Sequence, residues 1–231
     1  MRPNILITRP EPKGAAFANA LRSRWDGEID VILSPLLQIV PLCTTLPDAD
    51  AFIFTSTNGV DQAIRLGAEP GKTAYCVGEV TGDAASKVGF RVMTGTGDAA
   101  SMIDMLIRNP PHGSLAHIRG QYARGDIATS LCKAGIACLD VVAYDQASVP
   151  LSGQAKTVLN GETPVMVPLF SPRTAALFSD EGPYHAPLYV ISISDAAIPD
   201  IPMMANHVAD RKTGDAMCDA TIAGLNALAH L

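Results

Sequence analysis

Two neighbouring stretches of the sequence follow one pattern: a short apolar run, then small polar residues, then helical spacing. In the first, residues 51–54 read as a buried strand, and the segment from Ser56 to Gly59 supplies hydroxyls and a flexible backbone where a helix would begin. In the second, the apolar residues 73–77 precede Gly78. Open α/β sheets build ligand sites from such units, at the carboxyl ends of their strands. The unpaired N–H groups and partial positive charge of a helix start favour an anionic ligand.

A second pair of such units lies downstream and indicates that the chain contains two related halves. Residues 165–170 lead into Ser171, and the apolar run 188–193 contains Ser192. The spacing between these two serines differs by one residue from the spacing between the polar turns of the first pair. Two related halves that face each other would make a cleft with a helix-start site on each wall.

Strand-like runs alternate with helical patterns along the whole chain, which predicts parallel sheets. Two extended segments, residues 36–41 and 141–145, bracket the segment between them. We therefore predict an α/β fold of two parallel-sheet domains joined by a two-stranded linker, with one domain inserted in the other. The predicted bounds are 1–35 plus 148–231 for the discontinuous domain, 43–140 for the inserted domain, and 36–42 and 141–147 for the linker strands.

The same patterns give more detailed expectations for three helices. Thr81 is predicted to be an N-cap, because its hydroxyl can accept a hydrogen bond from a free N–H in the first turn. Ile64 and Val88 are predicted to lie on buried helix faces, from the spacing of the apolar residues around them. The last helix is predicted over residues 215–230, and no element is predicted between it and the prolines at 199–202.

Composition limits the classes of function that the chain can serve. Its 231 residues carry a net charge of −6, which argues against a general nucleic-acid surface. No apolar run is long enough to span a bilayer, and the N-terminal residues do not read as a signal peptide. The five cysteines are odd in number and include no CxxC pair, which favours a reducing cytoplasm. The five histidines lack metal-ligand spacing, so we expect no metal.

Several short segments match those of one known family in order and spacing. They are residues 5–10 (ILITRP), 54–60 (FTSTNGV), Val77 and Gly78 with Thr81, Ala84 and Gly89, 142–144 (VAY), 170–172 (FSP), and Ile191 with Ser192. With these segments the chain resembles the uroporphyrinogen-III synthases over nearly its whole length. The main departure is Asp195, where the family pattern favours threonine.

The resemblance implies a lyase, of the hydro-lyase type, in tetrapyrrole and heme biosynthesis. Such an enzyme takes hydroxymethylbilane, a linear tetrapyrrole, removes water from its hydroxymethyl end, and closes the ring with inversion of the terminal pyrrole to give uroporphyrinogen III. No cofactor or metal takes part. We expect a cytoplasmic monomer whose partner is this small-molecule substrate, with no nucleic acid and no membrane.

The resemblance also implies the site residues. Tyr144 matches the tyrosine on the second linker strand that is linked to catalysis, through a hydrogen bond to the departing hydroxyl. A substrate with many carboxylates needs many N–H and hydroxyl donors, and helix starts provide them. The expected substrate-binding residues are Arg9, Ser56, Thr57, Asn58, Gly78, Thr81, Arg119, Gly120, Ser171, Arg173, Ser192 and Ser194.

These residues also allow simpler interpretations. Thr81 can be only a helix cap, Tyr144 can merely cover a linker, and Ser56 and Ser171 can only close turns. The arginines can be solvated surface charges, the usual fate of this residue type. A different class of function also stays open, in which the chain is a non-catalytic two-lobed binder of anionic small molecules or an inactive synthase paralogue.

Overall fold

In a computed structural model that describes residues 2–95, 97–122 and 126–229, the chain forms eleven strands and eight helices. The strands are β1 (Asn4–Ile7), β2 (Asp30–Leu33), β3 (Leu37–Pro41), β4 (Ala51–Phe54), β5 (Thr73–Cys76), β6 (Arg91–Thr94), β7 (Leu115–Gly120), β8 (Cys138–Ser148), β9 (Val165–Leu169), β10 (Leu188–Ser192) and β11 (Ala205–Val208). The helices are α1 (Lys13–Arg24), α2 (Thr57–Arg65), α3 (Glu79–Lys87), α4 (Ala99–Arg108), α5 (Ile127–Lys133), α6 (Gly153–Leu159), α7 (Pro172–Asp180) and α8 (Gly214–Ala229).

The chain divides into two compact units, one of residues 1–38 with 147–231 and the other of residues 39–146. In the first unit, five parallel strands lie in the order β11-β10-β9-β1-β2. Ile5 and Ile7 face α1 and α8, and Leu6 faces α6 and α7. Both faces of the sheet are therefore covered by helices, as a parallel sheet requires.

The second unit contains a sheet in the order β3-β8-β7-β4-β5-β6, with parallel pairing from β8 through β6. Phe52 and Phe54 pack on the side of α2 and α3, whereas Ala51 and Ile53 pack with residues of α4 and α5. All four residues of β4 are buried, which explains its uninterrupted apolar sequence.

The strands β3 and β8 are neighbours, and each runs between residues assigned to different units. At one end, the Leu42 N–H donates to the Ala143 carbonyl at 3.0 Å, and at the other the Val149 N–H donates to the Leu36 carbonyl at 2.9 Å. Residue numbers rise along one strand as they fall along the other, so the pair is antiparallel. Two parallel α/β units joined by a two-stranded linker confirm the predicted fold class.

Several local expectations are wrong. The third helix begins at Glu79 with Gly78 as its N-cap, so Thr81 lies inside the first turn and is not the cap. Ile64 and Val88 are exposed: the buried face of α2 is made by Gly59, Val60, Gln62 and Ala63, and Val88 is the C-cap that follows α3. The strand β11 was not predicted. The predicted last residue of the final helix, His230, lies outside the described residues.

None of the helices within the described ranges is long and apolar enough to cross a bilayer.

Candidate functional site

Each sheet reverses its strand order once, and ligand sites in open α/β sheets lie at such reversals, outside the carboxyl ends of the strands. In the second unit, the chain runs outward from β4 to β5 and β6, whereas β7 and β8 lie on the other side. The reversal therefore lies between β4 and β7. Ser56 follows β4 and Gly120 ends β7, so two residues predicted for the site flank the reversal.

Tyr144 on β8 reaches the same place. Its side chain is buried, and its Oη lies 2.9 Å from Ser56 Oγ. Burial raises the pKa of the Tyr144 phenol above its ordinary value, while hydrogen bonds from the Ser56 and Asn58 side chains and the Gly120 N–H act in the opposite direction. The structure thus brings together four of the residues predicted from the sequence.

A cleft of about 330 Å³ opens beside the Tyr144 ring. Its lining includes Ser56, Gly120 and Tyr144, which sequence patterns predicted, together with Asp98 and Tyr122, which they did not. Asp98 is the N-cap of α4 and accepts from the Ser101 N–H at 2.7 Å. Both missed residues follow the ends of strands β6 and β7, and that position was the signal that could have found them. The remaining lining residues are Thr55, Val77, Gly97, Ala99 and Gln146.

The starts of α2 and α3 differ in how they are capped. Ser56 Oγ accepts from the Gly59 N–H at 3.3 Å, whereas Gly78 has no side chain to cap α3. Thr57 and Asn58 form the first turn of α2 and are half-buried, and Thr81 in the first turn of α3 is 7% exposed. Both helix starts direct backbone N–H groups out of the sheet edge, where an anion can accept from them.

Arg119 is held within the second unit by a carboxylate. Its Nε lies 2.8 Å from Asp140 Oδ1 and 2.9 Å from Oδ2, and its Nη1 donates to the Gly120 carbonyl at 3.1 Å. The hydrogen bond with Asp140 raises the pKa of the guanidinium. Arg119 does not line the cleft, in contrast to its neighbour Gly120.

In the first unit, the strand order reverses between β1 and β9. Arg9 follows β1, and its guanidinium carbon lies 3.8 Å from the centroid of the Phe170 ring at the end of β9. Burial lowers the pKa of Arg9 to about 10, so the side chain stays charged at neutral pH. None of the ion pairs in the described part of the chain involves Arg9.

The other predicted residues of the first unit differ in accessibility. Ser171 is the N-cap of α7 and accepts from the Thr174 N–H at 3.1 Å, with Arg173 in the first turn after it. Ser192 is fully buried, and its hydroxyl lies 2.8 Å from Asn206 Oδ1 and 3.2 Å from the Ala197 carbonyl. That hydroxyl is therefore used inside the protein.

Ser194 begins a single 3₁₀ turn, Asp195–Ala197, without a side-chain cap hydrogen bond. No group of three or more His, Cys, Asp and Glu side chains that could hold a metal ion occurs in residues 2–95, 97–122 and 126–229.

Two parallel α/β units with polar residues at the reversal of each sheet define a two-domain α/β protein, of the class whose ligand sites lie at strand ends. Residues 17–215 match the family described as uroporphyrinogen-III synthase HemD. The chain belongs to this family, whose members are lyases of porphyrin and heme biosynthesis. No curated protein sequence matches the chain with significance.

Solved structures of other proteins have a fold similar to that of this chain. The uroporphyrinogen-III synthetase of Helicobacter pylori has a TM-score of 0.66 and 17% identity, with 96% of this chain and 99% of that chain covered. A mutant uroporphyrinogen III synthase of Thermus thermophilus has a TM-score of 0.53 and 12% identity, with 97% of this chain and 99% of that chain covered. At these identities the similarity establishes the architecture, and the family match carries the function.

Proposed function

We propose that this protein is a uroporphyrinogen-III synthase in which Tyr144 assists the loss of water from hydroxymethylbilane. The observation that supports this role is the buried Tyr144 phenol on the wall of the cleft, in a chain of this family. The family match favours the synthase over the non-catalytic binder.

The reaction begins when the C–O bond of the substrate's hydroxymethyl group breaks. Tyr144 Oη gives its proton to the leaving hydroxyl, which departs as water, and the pyrrole N–H proton then restores the phenol. The electrophilic azafulvene that remains is attacked by the substituted carbon of the far pyrrole. The resulting spiro intermediate reopens and closes in the inverted sense. Holding both chain ends together can supply ~7–11 kcal/mol, so little further acid–base chemistry is needed.

The carboxylates of the substrate need donors, and each unit offers them near the carboxyl ends of its strands. In the second unit we assign this role to Thr57, Asn58, Gly78 and Thr81, near the starts of α2 and α3. In the first unit we assign it to Arg9, Ser171, Arg173 and Ser194.

Two residues expected to bind substrate receive a structural role instead. Arg119 is paired with Asp140, and the Ser192 hydroxyl lies between Asn206 and the Ala197 carbonyl. We also propose that the protein works as a monomer in the cytoplasm, in keeping with cysteines that are all free.

The function is tested with enzymatically made hydroxymethylbilane and chromatographic separation of the type I and type III products. Spontaneous closure gives the type I isomer, so type III product above a protein-free control supports the proposal. Type I product alone, from a folded protein at several concentrations, would overturn it.

A further inference from the structure

Three segments that are distant in the sequence meet at the Tyr144 ring. Pairing between β7 and β8 is regular up to Arg119 with Val142, but Gly120 then pairs with Tyr144, so Ala143 is an extra residue. Such a bulge changes the direction of the side chain that follows it. The Gln121 N–H donates to the Tyr144 carbonyl at 2.9 Å and fixes the strand just beyond the bulge.

Gly120 leaves room for the ring. A Cβ atom at this position would lie 2.5 Å from Tyr144 Cε2 and 2.8 Å from Cζ, closer than any carbon contact allows. The Tyr144 ring therefore lies directly against the Gly120 backbone. Any larger residue at position 120 has to push the phenol away from where it now lies.

Ser56 fixes the hydroxyl at the other end of the ring. Its Oγ lies 2.9 Å from Tyr144 Oη and also accepts from the Gly59 N–H at the start of α2. The start of α2 is itself held in place, because a Cβ at Gly59 would lie 2.6 Å from the Ile118 carbonyl oxygen on β7. The position of Ser56 relative to β7 is thus set by close backbone packing.

The hydrogen bond between Ser56 and Tyr144 fixes the position of the phenol whichever hydroxyl donates. The Gly59 N–H occupies only one lone pair of Ser56 Oγ, so this hydroxyl can still donate to Tyr144 Oη or accept from it. In both cases Oη stays within 2.9 Å of the residue that caps α2.

We propose that Ser56 and Gly120 are positioning residues for Tyr144: the Gly120 backbone sets the place of the ring, and the hydrogen bond with Ser56 holds Oη at the wall of the cleft. This assignment rests on the proposed function for the reaction that Tyr144 assists. It replaces direct substrate binding by these two residues with an action through Tyr144.

A double-mutant cycle distinguishes an action through Tyr144 from direct binding of the substrate. Ser56→Ala should lower kcat for type III product ~10-fold, a part of the effect of a general acid, with KM unchanged. Gly120→Ala should lower kcat by up to ~10²-fold, because it displaces the phenol. In a Tyr144→Phe background, neither substitution should lower kcat further, since no hydroxyl remains to be positioned. Effects that multiply with that of Tyr144→Phe, or that raise KM, would overturn the proposal.

Two control substitutions test whether the loss of a helix cap or of a glycine is enough by itself to lower kcat. Ser152 is the N-cap of α6 and accepts from the Ala155 N–H at 3.2 Å, and nothing lies within 4 Å of a Cβ at Gly153. Ser152→Ala and Gly153→Ala should therefore leave kcat unchanged. Ser56→Thr keeps a capping hydroxyl and should restore most of the activity that Ser56→Ala loses. No recovery with a folded Ser56→Thr variant would count against a role of the hydroxyl.

A measurement that needs no substrate keeps this proposal separate from the proposed function. The Tyr144 ¹³Cζ resonance, assigned by its loss in Tyr144→Phe, should titrate with a higher pKa in Ser56→Ala, because a donor to Oη has been removed. An unchanged or lower pKa would refute the role of Ser56 even in an active enzyme. A wild-type protein that makes no type III product would instead refute the proposed function, and the titration would still decide the role of Ser56.

Discussion

Arg119 and Asp140 lie on the neighbouring parallel strands β7 and β8, and both carboxylate oxygens of Asp140 contact Arg119 Nε, at 2.8 and 2.9 Å. The His117 ring approaches the same carboxylate, with Nδ1 3.3 Å from Oδ1. A carboxylate between two basic side chains therefore links the two strands side by side. The same contact occupies the guanidinium of Arg119, which was expected from the sequence to bind the anionic substrate.

Replacing Arg119 should affect stability more than substrate binding. We expect Arg119→Ala to lower the free energy of unfolding by ~1 kcal/mol, because the ion pair is partly exposed. The KM for hydroxymethylbilane should stay at the wild-type value. Urea unfolding and steady-state kinetics measure both quantities, with Arg91→Ala, an exposed arginine of the same sheet, as the control. A raised KM with unchanged stability would return Arg119 to the substrate site.

His117 should make the protein less stable in acid. Its side chain is 1% exposed, and burial lowers its pKa from 6.5 to about 4 despite the neighbouring Asp140. Because the unfolded chain binds this proton more readily, stability is lost as the pH falls below about 6.5, and the loss levels off near pH 4 at about 3 kcal/mol.

Urea unfolding between pH 4 and 7 checks this dependence. His117→Gln should be less stable than wild type at pH 7 but should lose less stability on acidification. Parallel pH profiles for the two proteins would show that another group is responsible.

Removing the Tyr144 hydroxyl should reduce type III synthesis without unfolding the protein. Tyr144→Phe keeps the buried ring, and we expect a loss of ~10²-fold in kcat, as for a general acid. Tyr184→Phe is a matched control, because it also removes a tyrosine hydroxyl that is hydrogen-bonded, in this case to the Phe178 carbonyl. Both variants should lose ~1 kcal/mol of stability, but only Tyr144→Phe should lose activity. Full turnover in Tyr144→Phe would exclude the catalytic role.

Gly59→Ala should destabilise the second unit even though alanine favours helices. Alanine in a helix interior is favoured over glycine by ~1 kcal/mol. The new Cβ, however, would lie 2.6 Å from the Ile118 carbonyl oxygen, and such overpacking costs ~1–3 kcal/mol plus any hydrogen bonds that α2 loses as it moves. Gly153→Ala, with open space around the new Cβ, should be neutral or stabilising. Equal unfolding midpoints for the two variants would show that α2 moves away without cost.

Arg9 should contribute to substrate affinity. Its charge is stacked on Phe170, and a partly buried guanidinium without an acidic partner in the described ranges is suited to a carboxylate of the ligand. We expect Arg9→Gln to raise KM ~10-fold, which corresponds to the loss of one charge-assisted hydrogen bond, with kcat little changed. Arg22→Gln, on the exposed side of α1, is the control. Identical KM values for the two variants would remove Arg9 from the binding site.

Local patterns in the sequence predicted the polar turns of the site well. Ser56 and Ser171 both follow a buried strand and cap the next helix, because a hydroxyl at that position satisfies a free N–H of the first turn. Thr81 failed the same test. Strand β5 ends at Cys76, and α3 begins at Glu79 with Gly78 as its N-cap, so the helix has already started before Thr81.

Contacts between distant segments could not be predicted in this way. The ion pair of Arg119 with Asp140 and the hydrogen bond of Ser56 with Tyr144 depend on which strands are neighbours and in which register. The bulge at Ala143 has no signal in its own sequence. Strand β11 was missed because its residues Ala205–Val208 are half-buried or exposed, so they lack the apolar run that marks the other strands.

The pairing of β1 with β9 also has a consequence for the order in which the protein can be completed during synthesis. Ile5, Leu6 and Ile7 are fully buried in the finished sheet, but their partner strand Val165–Leu169 leaves the ribosome only after all of residues 39–146. The second unit is continuous and has every one of its strands available by then. The N-terminal strand can pair with β2 and pack against α1 early, but its other edge has no partner until β9 emerges, and Leu6 is not covered until α6 and α7 are made. Chaperone binding to a stalled nascent chain should therefore depend on whether β9 has emerged.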